Sequence, residues 1–184
     1  MMNTVYLYTL VCLISTALGT SIKRSSGCDT AQLDRCTEAM RNAEKIFTYT
    51  KRGADGPLSE CGLYDGMVTC LNRNNLLANC AGTADWFSAR LLVDSFGYMC
   101  SEGRRETLAN MDCFANSDVD DAVGTCVKNF QSDLSSSGDP CGSVAKIPDC
   151  VADETLHVCS PGAASAMKDI MVHGLRSLNE MFSC

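Results

Sequence analysis

The sequence predicts an all-α fold of six to seven helices that disulfide bonds join together. Apolar residues recur at intervals of three or four along most of the chain, which is the spacing of one face of an α-helix. Alternating apolar and polar runs, the pattern typical of strands, are missing, and Val, Ile and Thr are scattered. Cysteines are spread from residue 28 to the last residue, which indicates a disulfide framework.

The first 19 residues are predicted to be a secretory signal peptide rather than part of the fold. Val5 to Ala17 is an apolar run, and the small residues Ala17 and Gly19 form a cleavage pattern, with Gly19 as the last residue removed. A transmembrane anchor is the alternative, but the run is shorter than the roughly 20 apolar residues that a span needs. We therefore expect a secreted, extracellular protein without a membrane span.

The cysteine count agrees with export. Of the 13 cysteines, Cys12 lies in the predicted signal, which leaves 13 − 1 = 12 in the secreted chain. An even set in an exported chain is typical of disulfides, whereas zinc sites use CxxC spacings that are absent here. We expect disulfides from all of the remaining cysteines: Cys28, Cys36, Cys61, Cys70, Cys80, Cys100, Cys113, Cys126, Cys141, Cys150, Cys159 and Cys184.

Length and charge limit the classes of partner. Removal of residues 1–19 leaves 184 − 19 = 165 residues, enough for one domain or two small fused ones. We expect a short polar segment at 20–27 and a disulfide-rich helical domain at 28–184. With 22 acidic and 15 basic residues, the net charge is −7, which disfavours nucleic acid and anionic membranes as partners.

Pairs of adjacent basic residues raise the question of proteolytic processing. Lys23-Arg24 lies in the polar segment and is either a processing site or an ordinary basic linker. Lys51-Arg52 and Arg104-Arg105 are also dibasic. Cleavage at these two is disfavoured, because both pairs are expected at helix ends and disulfides would hold the pieces together.

Three helices, the second of them short, are predicted in the first half of the chain. Asp29 or Thr30 is a suitable N-cap for the first helix, and a Gly/Pro loop at 53–57 ends that segment. An asparagine-rich loop follows the second helix, and Gly82-Thr83 begins the third. The predicted ranges are 30–49, 58–72 and 83–100.

The second helix carries two cysteines that should leave it on opposite sides. Cys61 and Cys70 are nine residues apart, which at 3.6 residues per turn is half a turn out of phase. We therefore expect this helix to be bridged to a neighbour on each flank.

Four helices are predicted in the second half. A short one carries Cys113, and Ser117 is a suitable cap for the next. Pro148 suits the first turn of a third, and Ser160-Pro161 precedes a long final segment that Gly174 bends. The predicted ranges are 106–114, 117–135, 149–158 and 161–184.

Cysteine spacing suggests an internal duplication of a three-helix unit. Eight, nine and nineteen residues separate the four cysteines from Cys61 to Cys100, and eight, eight and twenty-four separate those from Cys141 to Cys184. A Gly/Pro loop precedes each block, and a long helix ending in cysteine closes it. The predicted repeats are 28–100 and 113–184, with bridges at matching positions. The pairing itself cannot be deduced from spacing.

This order of cysteines and helices resembles a family of secreted nematode proteins, catalogued as domain of unknown function nineteen. The similar features are a cysteine before a long helix, two Cys-x8-Cys pairs, and middle helices with cysteines. The family's lysine-rich middle is thinner in this chain. The resemblance implies an extracellular helical domain and brings no catalytic residue with it. Other secreted cysteine-rich invertebrate proteins, including mollusc venom or mucus components, are the alternative.

Side chains suited to catalysis or to metal and cofactor binding are few. His157 and His173 are the only histidines, and neither has a Ser or Cys nucleophile tied to it by sequence. A secreted phospholipase would need a glycine-rich calcium loop near its histidine, and no such loop accompanies His157. We predict no catalytic residue, no metal site and no cofactor.

Methionines are the most suggestive apolar feature. The nine methionines include Met1 and Met2, and nearly all of the other 9 − 2 = 7 fall on apolar helical faces. Filling of the core is one interpretation, and an adaptable lining for an apolar ligand is the other. The candidates for such a lining are Met67, Met99, Met167 and Met171.

The sequence therefore favours a secreted, non-enzymatic extracellular binding or signalling protein. The alternative is a carrier of an apolar small molecule or lipid, and a secreted hydrolase ranks third. The expected partner is an extracellular protein or an apolar ligand.

Overall fold

A computed structural model describes residues 27–47, 56–114 and 116–184. The predicted signal peptide with Gly19, and the basic pairs Lys23-Arg24 and Lys51-Arg52, lie outside these residues. Within them the chain is helical and without strands, which confirms the predicted all-α class. The helices are α1 (Thr30–Phe47), α2 (Gly56–Arg73), α3 (Leu76–Asn79), α4 (Ala84–Cys100), α5 (Arg104–Ala109), α6 (Met111–Phe114), α7 (Ser117–Ser137), α8 (Pro140–Ala145), α9 (Ile147–Val158), α10 (Pro161–Gly174) and α11 (Arg176–Phe182).

Side-chain caps begin several helices where the sequence predicted them. Thr83 Oγ1 accepts the backbone N–H of Trp86 at 3.1 Å, and Ser160 Oγ accepts that of Ala163 at 3.1 Å. The expected cap at Ser117 is wrong by one residue, because the Asn116 side chain accepts the N–H of Asp118 at 3.1 Å. Each cap satisfies a backbone donor that has no partner inside its helix.

Some residues of the predicted Gly/Pro loops are helical. Gly56 and Pro57 begin α2, and Pro140 begins α8, because a proline is tolerated in a first helical turn, where no N–H donor is needed. The sequence missed the short helices α3 and α8. The predicted short helix at 106–114 is two segments, α5 and α6, separated by Asn110.

Six disulfides pair the cysteines in the same order in both halves. The first half has 28–80, 36–70 and 61–100, and the second has 113–159, 126–150 and 141–184. In each half the first cysteine pairs with the fifth, the second with the fourth and the third with the sixth. Cα separations of 4.5–6.0 Å lie within the normal range for a disulfide. This shared connectivity is what an internal duplication requires.

Helix α2 is bridged on both flanks, as its cysteine spacing predicts. Cys70 pairs with Cys36 on α1, and Cys61 pairs with Cys100 at the end of α4. In the second half, α8 and α9 together take this place, since Cys141 lies on α8 and Cys150 on α9. Pro148, which lacks a backbone donor, lies in the first turn of α9 just after the break between them.

Each half has a hydrophobic core, and α4 contributes to both. Ala89, Leu92 and Phe96 belong to the core of the first half, whereas Phe87 and Leu91 belong to that of the second. Helix α4 packs against α10 and α11, so the closing helices of the two halves contact each other.

The closing helices approach each other closely at Gly174. A Cβ atom at this position would lie 2.2 Å from Ser95 Oγ and 3.2 Å from Leu91 Cδ1, so a larger residue would require these side chains to move. Helix α10 ends at Gly174, and α11 begins two residues later, so the final segment is interrupted at the position where a bend was predicted.

Candidate functional site

A cleft of about 410 Å³ lies where the two halves meet. Its walls come from α2 and α4 on one side and from α10 and α11 on the other. The cleft is open and mainly polar, and its two guanidinium groups are accompanied by two carboxylates. The side chains with functional groups on its wall are Tyr64, Arg90, Asp94, Tyr98, Ser101, Glu102, His173 and Arg176. We call it the inter-half cleft.

Two aromatic rings stack across the boundary between the halves. The rings of Tyr98 on α4 and His173 on α10 are nearly parallel, with centroids 4.2 Å apart and an interplanar angle of 14°. A Cβ atom at position 103 would lie 2.2 Å from Tyr98 Cε1, so Gly103 gives the tyrosine ring the space that it occupies. A side chain at position 103 would therefore displace the tyrosine ring, and both rings of the stack line the cleft.

Arg176 is the less neutralised of the two guanidinium groups in the cleft. Its Nη2 atom lies 3.4 Å from His173 Nδ1, a ring nitrogen rather than a carboxylate oxygen, and its side chain is exposed. A guanidinium in this position presents donors that match a carboxylate or a phosphate.

Arg90 and Asp94 form a partly buried pair on α4. Arg90 Nε lies 3.4 Å from Asp94 Oδ2, within ion-pair distance, but without the geometry of a hydrogen bond. Ser177 on α11, itself buried, donates a hydrogen bond to the same carboxylate oxygen at 2.5 Å. Asp94 thus joins the two halves and offsets part of the charge of Arg90.

The hydroxyl of Tyr64 lies close to Gly97, another residue of the cleft wall. A Cβ atom at position 97 would be 2.9 Å from Tyr64 Oη. Burial raises the pKa of Tyr64 above its usual value, and the negative charges of Asp65 and Asp94 raise it further, while Arg90 lowers it. The phenol therefore stays neutral, and able to donate, over the whole physiological range.

The Tyr98 hydroxyl is held neutral in the same way. Burial raises the pKa of Tyr98, the charges of Asp169 and Glu106 raise it further, and a hydrogen bond with Asp169 acts in the same direction. The Tyr98 phenol is thus a hydrogen-bond donor, and its partner is Asp169.

Alkaline pH should weaken the fold through these two tyrosines. Their pKa values in the folded protein lie above the ordinary value of 10.0. The contribution of these tyrosines to stability is therefore complete below about pH 10. It is lost as the pH rises through their pKa values in the folded protein. We expect the free energy of unfolding, measured by denaturant titration at a series of pH values, to fall in that window. The double variant Tyr64→Phe, Tyr98→Phe should show a flatter curve, and an equally steep fall in it would contradict the assignment.

A second cleft, of about 340 Å³, lies within the second half beside the Cys126–Cys150 bridge. Lys146 Nζ and Asp133 Oδ2, both on its wall, form an ion pair at 2.7 Å. Its charged groups therefore neutralise each other, and the inter-half cleft is the stronger candidate for a ligand.

The methionines singled out by sequence contribute to the cores. Met67, Met167 and Met171 are only 2–4% exposed, and Met99 is half-buried and packs against both cores. Neither of the two clefts is lined by a methionine. The structure therefore favours core filling for these residues, and the apolar-ligand carrier stays a prediction from the sequence.

The two histidines lie in different surroundings. His157 is exposed on α9, two residues before Cys159, which is bonded to Cys113. His173 lies in the inter-half cleft. No group of three or more His, Cys, Asp or Glu side chains in the described ranges could hold a metal ion.

Sequence reasoning did not find the inter-half cleft. Its groups come from helices that are distant in sequence and fall in no motif, and His173 is the one that sequence considered, as one of the two histidines. The signal that sequence did offer was the set of small residues Gly97, Gly103 and Gly174, where another element approaches closely.

Comparisons of this chain with protein-family models, with curated proteins and with solved structures find no match. The nematode family therefore remains a resemblance based on cysteine order. Among the described helices, none combines the length and the apolar character that crossing a membrane demands.

Proposed function

We propose that this protein is a secreted, non-enzymatic binding or signalling protein of the extracellular space, and that its ligand occupies the inter-half cleft. The proposal depends mainly on one observation. Arg176 is exposed in a cleft of about 410 Å³, against a ring stack, and its close contact is a ring nitrogen instead of a carboxylate. This arrangement suits a ligand with an anionic group and a flat or apolar portion.

The hydrogen bonds of the cleft support binding over catalysis. A nucleophilic serine needs a base that takes its proton, usually a histidine. Ser177 instead donates to Asp94 and is buried, while His173 Nδ1 faces Arg176. These side chains hold the two halves together and shape the wall, and they do not form a proton-transfer chain.

The disulfide framework supports a role outside the cell. Six bridges in a small protein are typical of chains that function in oxidising compartments. Each half has its own three bridges, so the helices that form each wall of the cleft belong to a disulfide-bonded core. A site of this kind keeps its shape without a ligand, which reduces the entropy lost on binding.

The test is a binding measurement with a matched variant. A panel of small carboxylates and phosphates is screened by thermal shift against the purified, oxidised protein, and hits are measured by calorimetry. Because a hydrogen bond to a charged group contributes about 1.5–3 kcal/mol, Arg176→Ala should weaken binding by roughly 10–100-fold. Arg73→Ala removes an exposed arginine at the end of α2 and should leave the affinity unchanged.

Two results would contradict the proposal. Binding that is equally strong in the Arg176→Ala variant would place the ligand elsewhere. Hydrolysis of ester or peptide substrates by the purified protein, lost on His157→Ala, would assign the protein to the secreted hydrolases.

A further inference from the structure

The two halves of the protein are not joined by any disulfide between the cysteines of the described chain. Bridges 28–80, 36–70 and 61–100 close within the first half. Bridges 113–159, 126–150 and 141–184 close within the second. The covalent link between the halves is therefore the segment 101–112 alone.

That segment contains adjacent, exposed basic residues. Arg104 and Arg105 begin α5, and the Arg105 side chain is 91% exposed. The Arg105 guanidinium pairs at 2.7 Å with Glu106, its neighbour in sequence, and not with another element. An exposed ion pair of this kind contributes little to stability, so it would not keep the pair from a protease.

Helix α5 is short and mostly exposed, and it packs against α4 and α10. It has six residues, and its N-cap, Gly103, provides no side-chain hydrogen bond. Thr107 is its one buried residue, and the Thr107 hydroxyl has no hydrogen-bond partner. Helices this short are marginal on their own, and segments with few buried contacts open locally at small cost in free energy.

We infer that Arg104-Arg105 is a processing site for a protease that recognises paired basic residues. One water molecule is consumed as the peptide bond between Arg105 and Glu106 is hydrolysed, which leaves a carboxylate on Arg105 and an amine on Glu106. The sequence alone disfavoured cleavage here because the pair was expected at a helix end and because disulfides were expected to hold the pieces together. The pair does lie at the start of a helix, whereas the disulfide pairing removes the second reason, since each product keeps its own three bridges.

Cleavage at this bond would change the inter-half cleft. Tyr64, Arg90 and Tyr98 would belong to one product, and His173 and Arg176 to the other. The cleft would then be held by non-covalent contacts alone, chiefly those of α4 with α10 and α11. The inference itself does not depend on a ligand in the cleft, so it can fail while the proposed function stands.

The experiment digests the oxidised full chain with a purified convertase that cuts after paired basic residues, and compares reducing with non-reducing denaturing gels. A cut after Lys51-Arg52 leaves its products joined by bridges such as 28–80, so it separates bands only after reduction. A cut after Arg105 separates two fragments without reduction. N-terminal sequencing should find Glu106 at the start of one of them.

We expect two non-reduced bands from the parent protein and one from the variant Arg104→Gln, Arg105→Gln. Cleavage of that variant after Arg52, seen on the reducing gel, shows that the protease remains active on it. A variant Lys51→Gln, Arg52→Gln should still give two non-reduced bands. A single non-reduced band from the folded parent, under conditions in which the reduced and unfolded chain is cut at this bond, would overturn the inference.

Discussion

Replacing Phe87 with alanine is expected to destabilise the protein by about 3–5 kcal/mol, the usual cost of removing a buried aromatic side chain. Phe87 lies on α4, in the first half, yet it is only 1% exposed and belongs to the core of the second half. Its loss leaves a cavity at the contact between the halves. The second half should therefore lose stability although the substitution lies outside it.

The measurement is denaturant unfolding combined with hydrogen exchange along α7, a helix of the second half. Phe96→Ala is the matched control, because Phe96 is on the same helix, is 8% exposed and belongs to the core of the first half. We expect Phe87→Ala to reduce the protection of α7 and Phe96→Ala to affect chiefly α1 and α2. Unchanged protection of α7 in the Phe87→Ala variant would mean that the halves are stabilised independently.

Removing the Cys28–Cys80 bridge by a double substitution to alanine is expected to cost about 2–5 kcal/mol. This bridge closes the longest loop of the six, with a sequence separation of 52, and Cys80 is completely buried. The lost constraint on the unfolded chain and the lost packing at Cys80 act in the same direction.

The matching bridge in the second half provides a direct comparison. Cys113–Cys159 occupies the same place in the pairing order, with a sequence separation of 46. If the halves are equivalent units, the double alanine variants at the two bridges should each lower the free energy of unfolding by about 2–5 kcal/mol. A loss of several kcal/mol from one bridge and none from the other would argue against equivalent roles.

Local chemistry was enough to predict the longer helices and part of their bridging, but not the short helices α3 and α8. The periodicity of apolar residues identifies a helix because 3.6 residues per turn places them on one face. The same periodicity places Cys61 and Cys70 on opposite sides of α2, which the structure confirms. Boundaries were less accurate where a proline begins a helix, as at Pro57 and Pro140, because the same residue also punctuates loops.

Spacing predicted that all cysteines from Cys28 onward are paired, and that matching bridges recur in the two halves. Which cysteines pair depends on their distances in three dimensions. Spacing alone cannot decide this, because the same six cysteines of a half could pair in many ways. Only the tertiary structure showed that no bridge crosses between the halves. Because of this, Arg104-Arg105, a pair at which sequence disfavoured cleavage, became a candidate processing site. The inter-half cleft has the same origin, because its arginines, tyrosines and histidine are distant in sequence and meet only when α4 packs against α10 and α11.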